Sequence, residues 1–279
     1  MEKKVVIERT YDAPLDAVWE AITNKDQMKQ WYFAVSDFKP QVGFEFEFSA
    51  GREGRKYLHK CKVVESDPKN KISYTWRYDG YAGESLVTFE LFSENKDKTR
   101  LKLTHAHLDT FPADQPDFAS GNFNEGWNSL LGTSLAKFVE KGSFIKSTRI
   151  NANPKEVWDI VIQPNDTWGL AFGGGATAET DWKEGSPIIW KDLSNNIGAN
   201  GVVEVHQPEK YLQLHYYDEV YPKAGDKPGD YFEKYSVSRE NGESVLTVDI
   251  GRISRREMEF HGKMWEQALG MIKRLAEKG

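Results

Sequence analysis

Apolar and polar residues alternate in short runs along the first half of the chain. Val5, Ile7 and Tyr11 form one run, and Phe44, Phe46 and Phe48 form another, with Glu45 and Glu47 between them. His59, Cys61 and Val63 share a parity, as do Ile72, Tyr74, Trp76 and Tyr78, then Val87, Phe89 and Leu91, then Leu101, Leu103 and His105. A period of two predicts antiparallel strands with one covered and one wet face. Asp67-Pro68-Lys69-Asn70 and Glu94-Asn95-Lys96-Asp97 are turn signals between them. After the first run the period changes. Leu15, Val18, Trp19 and Ile22 fall at i, i+3, i+4 and i+7, which predicts an amphipathic helix of about two turns. Pro14 suits its first turn, where a missing N–H costs nothing. Phe123, Trp127, Leu130, Leu131, Leu135, Phe138 and Val139 then make the apolar stripe of a long helix. Gly142 is placed to end that helix in a left-handed cap.

The pattern then starts again. Tyr11-Asp12-Ala13-Pro14-Leu15-Asp16-Ala17-Val18-Trp19 returns as Ile150-Asn151-Ala152-Asn153-Pro154-Lys155-Glu156-Val157-Trp158, an offset of 158 − 19 = 139 residues. Pro68 after Val63-Val64-Glu65 matches Pro208 after Val203-Glu204-Val205, and Trp127 matches Trp265. Both halves close on Glu-Lys-Gly, at Gly142 and Gly279. A period this long means two copies of a whole domain, because solenoid repeats run roughly 20–50 residues. The boundaries read from the sequence are 1–142 and 143–279. The second copy repeats the strands more loosely, at Ile188/Trp190, Val203/Val205, Leu212/Leu214/Tyr216, Tyr235/Val237 and Leu246/Val248/Ile250. Its long helix carries Trp265, Ala268, Leu269, Ile272 and Leu275. A strand, short helices, about six antiparallel strands and a long closing helix make an α+β domain. A curved sheet wrapped around a helix leaves a cavity between them.

Composition narrows the partners. With 37 basic against 43 acidic residues and no block of like charge, neither nucleic acid nor an anionic membrane is expected. Met1-Glu2-Lys3-Lys4 leads into a short alternating segment, unlike a signal peptide. No apolar run is long enough to span a bilayer. The single cysteine, Cys61, excludes an internal disulfide framework. A cytoplasmic monomer is expected. Aromatic residues make up 13% of the chain, with nine Trp, which suits a core or an apolar pocket lined with rings.

The segments Ala13-Pro14 to Val18-Trp19, Gly43-Phe44-Glu45-Phe46, Thr99-Arg100-Leu101-Lys102-Leu103-Thr104-His105 and Asn122-Phe123-Asn124-Glu125-Gly126-Trp127 resemble START-like (Bet v 1-like, SRPBCC) proteins. More narrowly, they resemble the branch named after the C-terminal domain of the heat-shock-protein-90 ATPase activator. The resemblance covers 1–142 well. Over 143–279 it rests on the Trp158 helix, Trp182-Lys183-Glu184-Gly185-Ser186-Pro187 and the Trp265 helix. It implies tandem helix-grip domains with a cavity for apolar small molecules. Its name raises a chaperone as an alternative partner, and some relatives are cyclases or hydrolases. This chain departs from the family's pattern at His107, where glycine is usual. The second copy has Leu246-Thr247-Val248-Asp249-Ile250-Gly251 in place of the Leu-Thr-His ending, which confines any role of His105 to the first copy.

The candidate binding residues are Trp31, Phe33, Phe46, His59, Cys61, Tyr74, Trp76, His105, Trp127 and Leu131. Buried Tyr and Trp need partners for O–H and N–H groups, so Tyr74 and Trp76 stand out among the rings. His59/Cys61 and His105/His107 are i, i+2 pairs that point to one side of each strand. Four such N/S donors could suit zinc. Strand pairs are weaker evidence than a knuckle, and no metal or cofactor is assigned. Gly173-Gly174-Gly175 lacks the Gly-Lys-Ser/Thr of a phosphate loop and reads as a loop over the second cavity. Arg252, Arg255 and Arg256 read as a solvated basic face. Glu90, Glu233 and Asp249 are conceivable cavity carboxylates that no spacing fixes. No nucleophile elbow is present, and no catalytic residue is assigned. The expected function is non-enzymatic binding of an apolar or aromatic small molecule.

Overall fold

The computed structural model describes residues 3–51 and 54–278. Met1-Glu2 and Gly279, used above for the leader and the repeat ending, lie outside the described residues. The chain divides into two compact units, the first ending at Lys141 and the second beginning at Gly142. Each unit carries one curled antiparallel sheet and a long closing helix, so the α+β expectation holds.

In the first unit β1 (Val5–Tyr11) is followed by α1 (Leu15–Thr23) and α2 (Lys25–Trp31). Then come β2 (Glu45–Ala50), β3 (Tyr57–Asp67), β4 (Lys71–Tyr78), β5 (Ser85–Asn95) and β6 (Lys98–Ala106). The sheet order is β1-β6-β5-β4-β3-β2, a meander whose last strand pairs with its first. The inward parity found in the sequence is the buried one: Phe46, Phe48, Val63, Ile72, Tyr74, Trp76, Val87, Phe89, Leu101 and Leu103 are all buried. Burying each such side chain is worth about 1.5–3 kcal/mol, and this is what holds sheet and helix together.

The closing helix of the first unit is not uniform. It runs as α3 (Ser120–Ser129), a π-helical stretch over Leu130–Leu135, and α4 (Ala136–Val139). The Tyr11 hydroxyl donates to the Leu131 carbonyl at 2.9 Å, inside that stretch. The helix ends without the glycine cap read from the sequence. Glu140 closes it at φ −80, and the chain passes directly into β7 (Lys141–Ile150), which contains Gly142. A Cβ at Gly142 would lie 2.5 Å from Met258 Sδ, so close packing, not positive φ, accounts for glycine there.

The second unit repeats the order with α5 (Pro154–Val161), β8 (Ala176–Glu179), β9 (Pro187–Asp192), β10 (Ile197–Gln207), β11 (Tyr211–Tyr216), β12 (Phe232–Glu240), β13 (Glu243–Ser254) and α6 (Met258–Ala276). Its sheet order is β7-β13-β12-β11-β10-β9-β8. Contacts that fasten the short helices recur. Trp31 Nε1 donates to the Ala21 carbonyl at 2.8 Å, and Trp168 Nε1 to that of Ile160 at 2.9 Å. Thr99 Oγ1 donates to the Ala13 carbonyl, and Ser244 Oγ to that of Ala152, both at 2.8 Å. Asn153 and Glu156 form a full capping box on α5, whereas Pro14 caps α1 with no side-chain bond.

Candidate functional site

In the first unit a cleft of about 370 Å³ opens between the ends of β2, β3 and β4 and one face of α3. Tyr57, His59 and Tyr78 line it from the sheet, Asp117 and Phe118 from the loop before α3, and Gly126 from the helix. The loop is built to stay in place. Phe118 stacks on Tyr78 with centroids 4.3 Å apart, and Tyr57 meets it edge-on at 5.5 Å. Asn122 Nδ2 donates to the carbonyls of Pro116 and Asp117, tying a short 3-10 turn, Pro116–Phe118, to the helix. Tyr57 OH donates to Asp117 Oδ2 at 2.6 Å and Arg55 Nη1 to the same oxygen at 3.1 Å. The Asp117 bond is the main reason the Tyr57 hydroxyl has a raised pKa. The cleft therefore has ring walls, a carboxylate already balanced by a guanidinium, and open space over the helix. A Cβ on Gly126 would meet no heavy atom within 4 Å.

His59 is the one of the ten sequence candidates that lines this cleft. From it a train of rings leads inward. Phe48 stacks on His59 at 4.4 Å, Trp76 meets His59 edge-on at 4.8 Å, and Trp76 lies 5.4 Å from His105 and 5.8 Å from Trp127. His59 Nδ1 lies 3.3 Å from the Phe48 carbonyl. Burial drives its pKa down to about 4 against the upward pull of the Phe48 and Tyr57 carbonyls. Trp31, Phe46, Tyr74, Trp76, Trp127 and Leu131 are buried in the same core, and Phe33, half-buried, stacks on Phe48 at 4.8 Å. Tyr74 OH lies 3.4 Å from Tyr32 OH, so both find partners. Trp76 Nε1 lies near the Tyr78 hydroxyl without reaching hydrogen-bond geometry. Cys61 is buried on β3, and burial pushes its thiol pKa far up.

His105 is fixed from both sides. The indole N–H of Trp127 can only donate, so His105 Nδ1 accepts, at 3.0 Å. Nε2 then carries the proton and donates to Ser85 Oγ at 2.8 Å, and the Ser85 hydroxyl in turn donates to the Trp76 carbonyl at 3.3 Å. Burial lowers the His105 pKa to about 3, so the ring is neutral. His107 does not share its side of the strand. At φ 61 the backbone leaves β6, and the side chain is exposed. His59/Cys61 on β3 and His105 on β6 are also separated by two strands. Among the described residues no group of three or more His, Cys, Asp or Glu side chains is placed to hold a metal ion.

The second unit rearranges this interior. Register pairs Val63 with Tyr74, Tyr74 with Val87 and Val87 with His105 in the first sheet. The same path in the second runs Val203, Leu214, Glu233 and Ile250. Valine has become glutamate and histidine has become isoleucine, so the buried polar group has moved one strand over. Tyr216 and Tyr235 donate to Glu233 Oε2 at 2.9 and 2.8 Å, and Tyr231 to Oε1 at 2.6 Å. Trp190 Nε1 donates to the Tyr216 hydroxyl at 2.9 Å. Burial raises the Glu233 pKa. The three phenol O–H groups oppose the rise by stabilising the anion, and His261 opposes it by its charge. Trp265, the counterpart of Trp127, has lost its histidine acceptor, and its Nε1 is buried without a partner. Glu233, one of three conceivable cavity carboxylates that no spacing fixed, is the one that is buried. Tyr216 was read as inward, but the convergence of three tyrosines on one carboxylate depends on register that sequence does not carry.

The family described as activator of Hsp90 ATPase homolog 1-like protein matches residues 12–140 and again 151–277. The chain belongs to that family, in two tandem copies. No curated protein matches this activator-homolog chain. Among solved structures it is similar to protein MLL2253 from Mesorhizobium loti, at 28% identity over 49% of this chain and 96% of that one, with a TM-score of 0.39. It is also similar to DynU16, described as a putative protein in the dynemicin biosynthetic locus, at 16% identity over 98% of each chain and a TM-score of 0.41. A third is the di-domain ARO/CYC BexL from the BE-7585A biosynthetic pathway, at 14% identity, 99% and 98% coverage and a TM-score of 0.40. No helix among the described residues is long and apolar enough to cross a membrane.

Proposed function

We propose that the first copy binds an apolar, ring-containing small molecule in the cleft between its sheet and closing helix, without turning it over. One observation carries this reading: a space of about 370 Å³ walled by Tyr57, Tyr78 and Phe118 and left open over Gly126. That volume lies in the range of small-molecule sites, which are mostly apolar with a few fixed polar groups. His59 sits at the inner wall, and the rings behind it form the back of the site. His105, with both nitrogens engaged inside the core, has no lone pair to offer a substrate.

The test is a plug. Gly126→Leu would place a side chain in the open part of the cleft without touching the core, and leucine is a better helix former than glycine by roughly 0.8 kcal/mol. Binding is read by titrating the full chain with N-phenyl-1-naphthylamine, an uncharged aromatic fluorophore. The expected result is at least a tenfold loss of affinity in Gly126→Leu, with a thermal midpoint equal to or above that of the parent. Undiminished dye binding in the plugged variant would refute the cleft as the site.

A further inference from the structure

The inner wall of the first copy's cleft carries two polar atoms that the protein leaves unanswered. His59 and Tyr78 both line the cleft, and they are register partners on β3 and β4 with ring centroids 4.7 Å apart. His59 Nδ1 lies against the Phe48 carbonyl, which can only accept, so Nδ1 carries the proton. Burial keeps the ring neutral at pH 7. Nε2 is then a bare lone pair, and no donor among the described residues reaches it. The Tyr78 hydroxyl is in the complementary position. The Trp76 indole beside it can only donate, so the Tyr78 proton finds no acceptor there. Among the described residues, the side-chain polar atoms that are both sealed off and unpartnered are the indole nitrogens of Trp76 and Trp265. His59 Nε2 and the Tyr78 hydroxyl are not among them, so both reach open space, and the open space that both residues border is the cleft.

We propose that the ligand of this cleft is a ring compound with a neutral hydroxyl at its inner end, the hydroxyl donating to His59 Nε2 and accepting from the Tyr78 O–H. A hydroxyl is the smallest group that both donates and accepts. Tyr57 and Phe118 pack on the ring that carries it. A hydrocarbon of the same shape would strip water from both polar atoms and return nothing, which costs more than a hydrogen bond gains. An anionic ligand would meet the His59 lone pair and the Asp117 carboxylate. This inference rests on the cleft being the binding site and adds what that site selects.

Three probes on one ring test it at pH 7: 2-naphthol, 2-methoxynaphthalene and 2-methylnaphthalene, each displacing N-phenyl-1-naphthylamine from the full chain. The naphthol is expected to bind about tenfold more tightly than the methyl compound, the discrimination that unmet polar atoms produce, with the ether between them because it accepts without donating. Tyr78→Phe removes a hydroxyl that no protein acceptor holds, so the thermal midpoint should stay in place while the naphthol and the ether lose affinity and the methyl compound does not. His59→Phe keeps a ring stacked on Phe48 and should bring the naphthol down to the ether. Equal binding of all three probes, each blocked by Gly126→Leu, would overturn the hydroxyl and leave the cleft standing. Failure of every probe to displace the dye would overturn both. An unchanged naphthol preference in folded Tyr78→Phe would also overturn the proposal, and if His59→Phe fails to fold, the probe ranking and Tyr78→Phe decide.

Discussion

Two imidazoles in the interior of the first copy stay there only by remaining unprotonated. The pKa of His105 falls to about 3 and that of His59 to about 4, from an ordinary value of 6.5. Below 6.5 the unfolded chain takes up protons that the folded chain refuses, so folding weakens as pH falls from 6.5 toward 4. The urea midpoint of the first copy should decrease across that window. His105→Ile, which installs the residue found at this rung in the second copy, should flatten the dependence. At pH 7 the same change should cost about 1–3 kcal/mol, because the Trp127 N–H loses its acceptor. A slope as steep as the parent's would place the titration elsewhere. Strand parity in the sequence was enough to put His59 and His105 inside. It could not supply Ser85 as the Nε2 partner, since that residue lies on the neighbouring strand and is reached only through register. Nor could parity reveal that His107 turns away, because a single left-handed residue ends the alternation on which parity depends.

At the scale of elements, the two closing helices differ although their apolar stripes look alike. α6 is α-helical from Met258 to Ala276, whereas the first helix changes to π geometry at Leu130–Leu135. Its Leu131 carbonyl accepts from Tyr11, and the offset of 139 puts Ile150, which has no hydroxyl, at the matching place in the second copy. A π stretch inserts a residue into the turn without altering which residues are apolar. The sequence therefore showed a long helix and could not show its change of pitch. Tyr11→Phe should cost about 1 kcal/mol, since it removes one buried hydrogen bond. Amide hydrogen exchange over 130–135 should then accelerate roughly fivefold, the factor such an energy carries, while α6 stays as it was. Equal acceleration in both helices would mean that the hydroxyl supports the fold as a whole and not this stretch. The cleft was the least legible part. Asp117 and Phe118 lie in a single 3-10 turn, too short for a period to mark which side chain turns inward.

For the whole molecule, duplication was evident from the sequence because helix starts, turns and closing tryptophans recur at one offset. The exchange of polarity was hidden because it consists of two substitutions that make sense only once the strands are paired. Its effect on pH response is opposite in the two copies. The Glu233 pKa is raised above its ordinary 4.5. Its contribution is therefore full at pH below 4.5 and declines as pH rises through the folded value. Acidification from pH 7 to 5 should lower the calorimetric midpoint of the first copy while that of the second holds or rises. His105→Ile identifies the first copy's transition by shifting that one alone. Parallel movement of both transitions would contradict this division. The exchange has a consequence for folding as well. Two copies on one chain meet at high local concentration, and tandem domains characteristically misassemble by trading strands. If β13 replaced β6 in the first sheet, Ile250 would face Trp127 and leave its N–H without an acceptor. If β12 replaced β5, Glu233 would enter a core that lacks the phenol of Tyr216. Each trade leaves a buried polar group unanswered, so the same two positions that separate the chemistry of the copies also keep their strands from being exchanged.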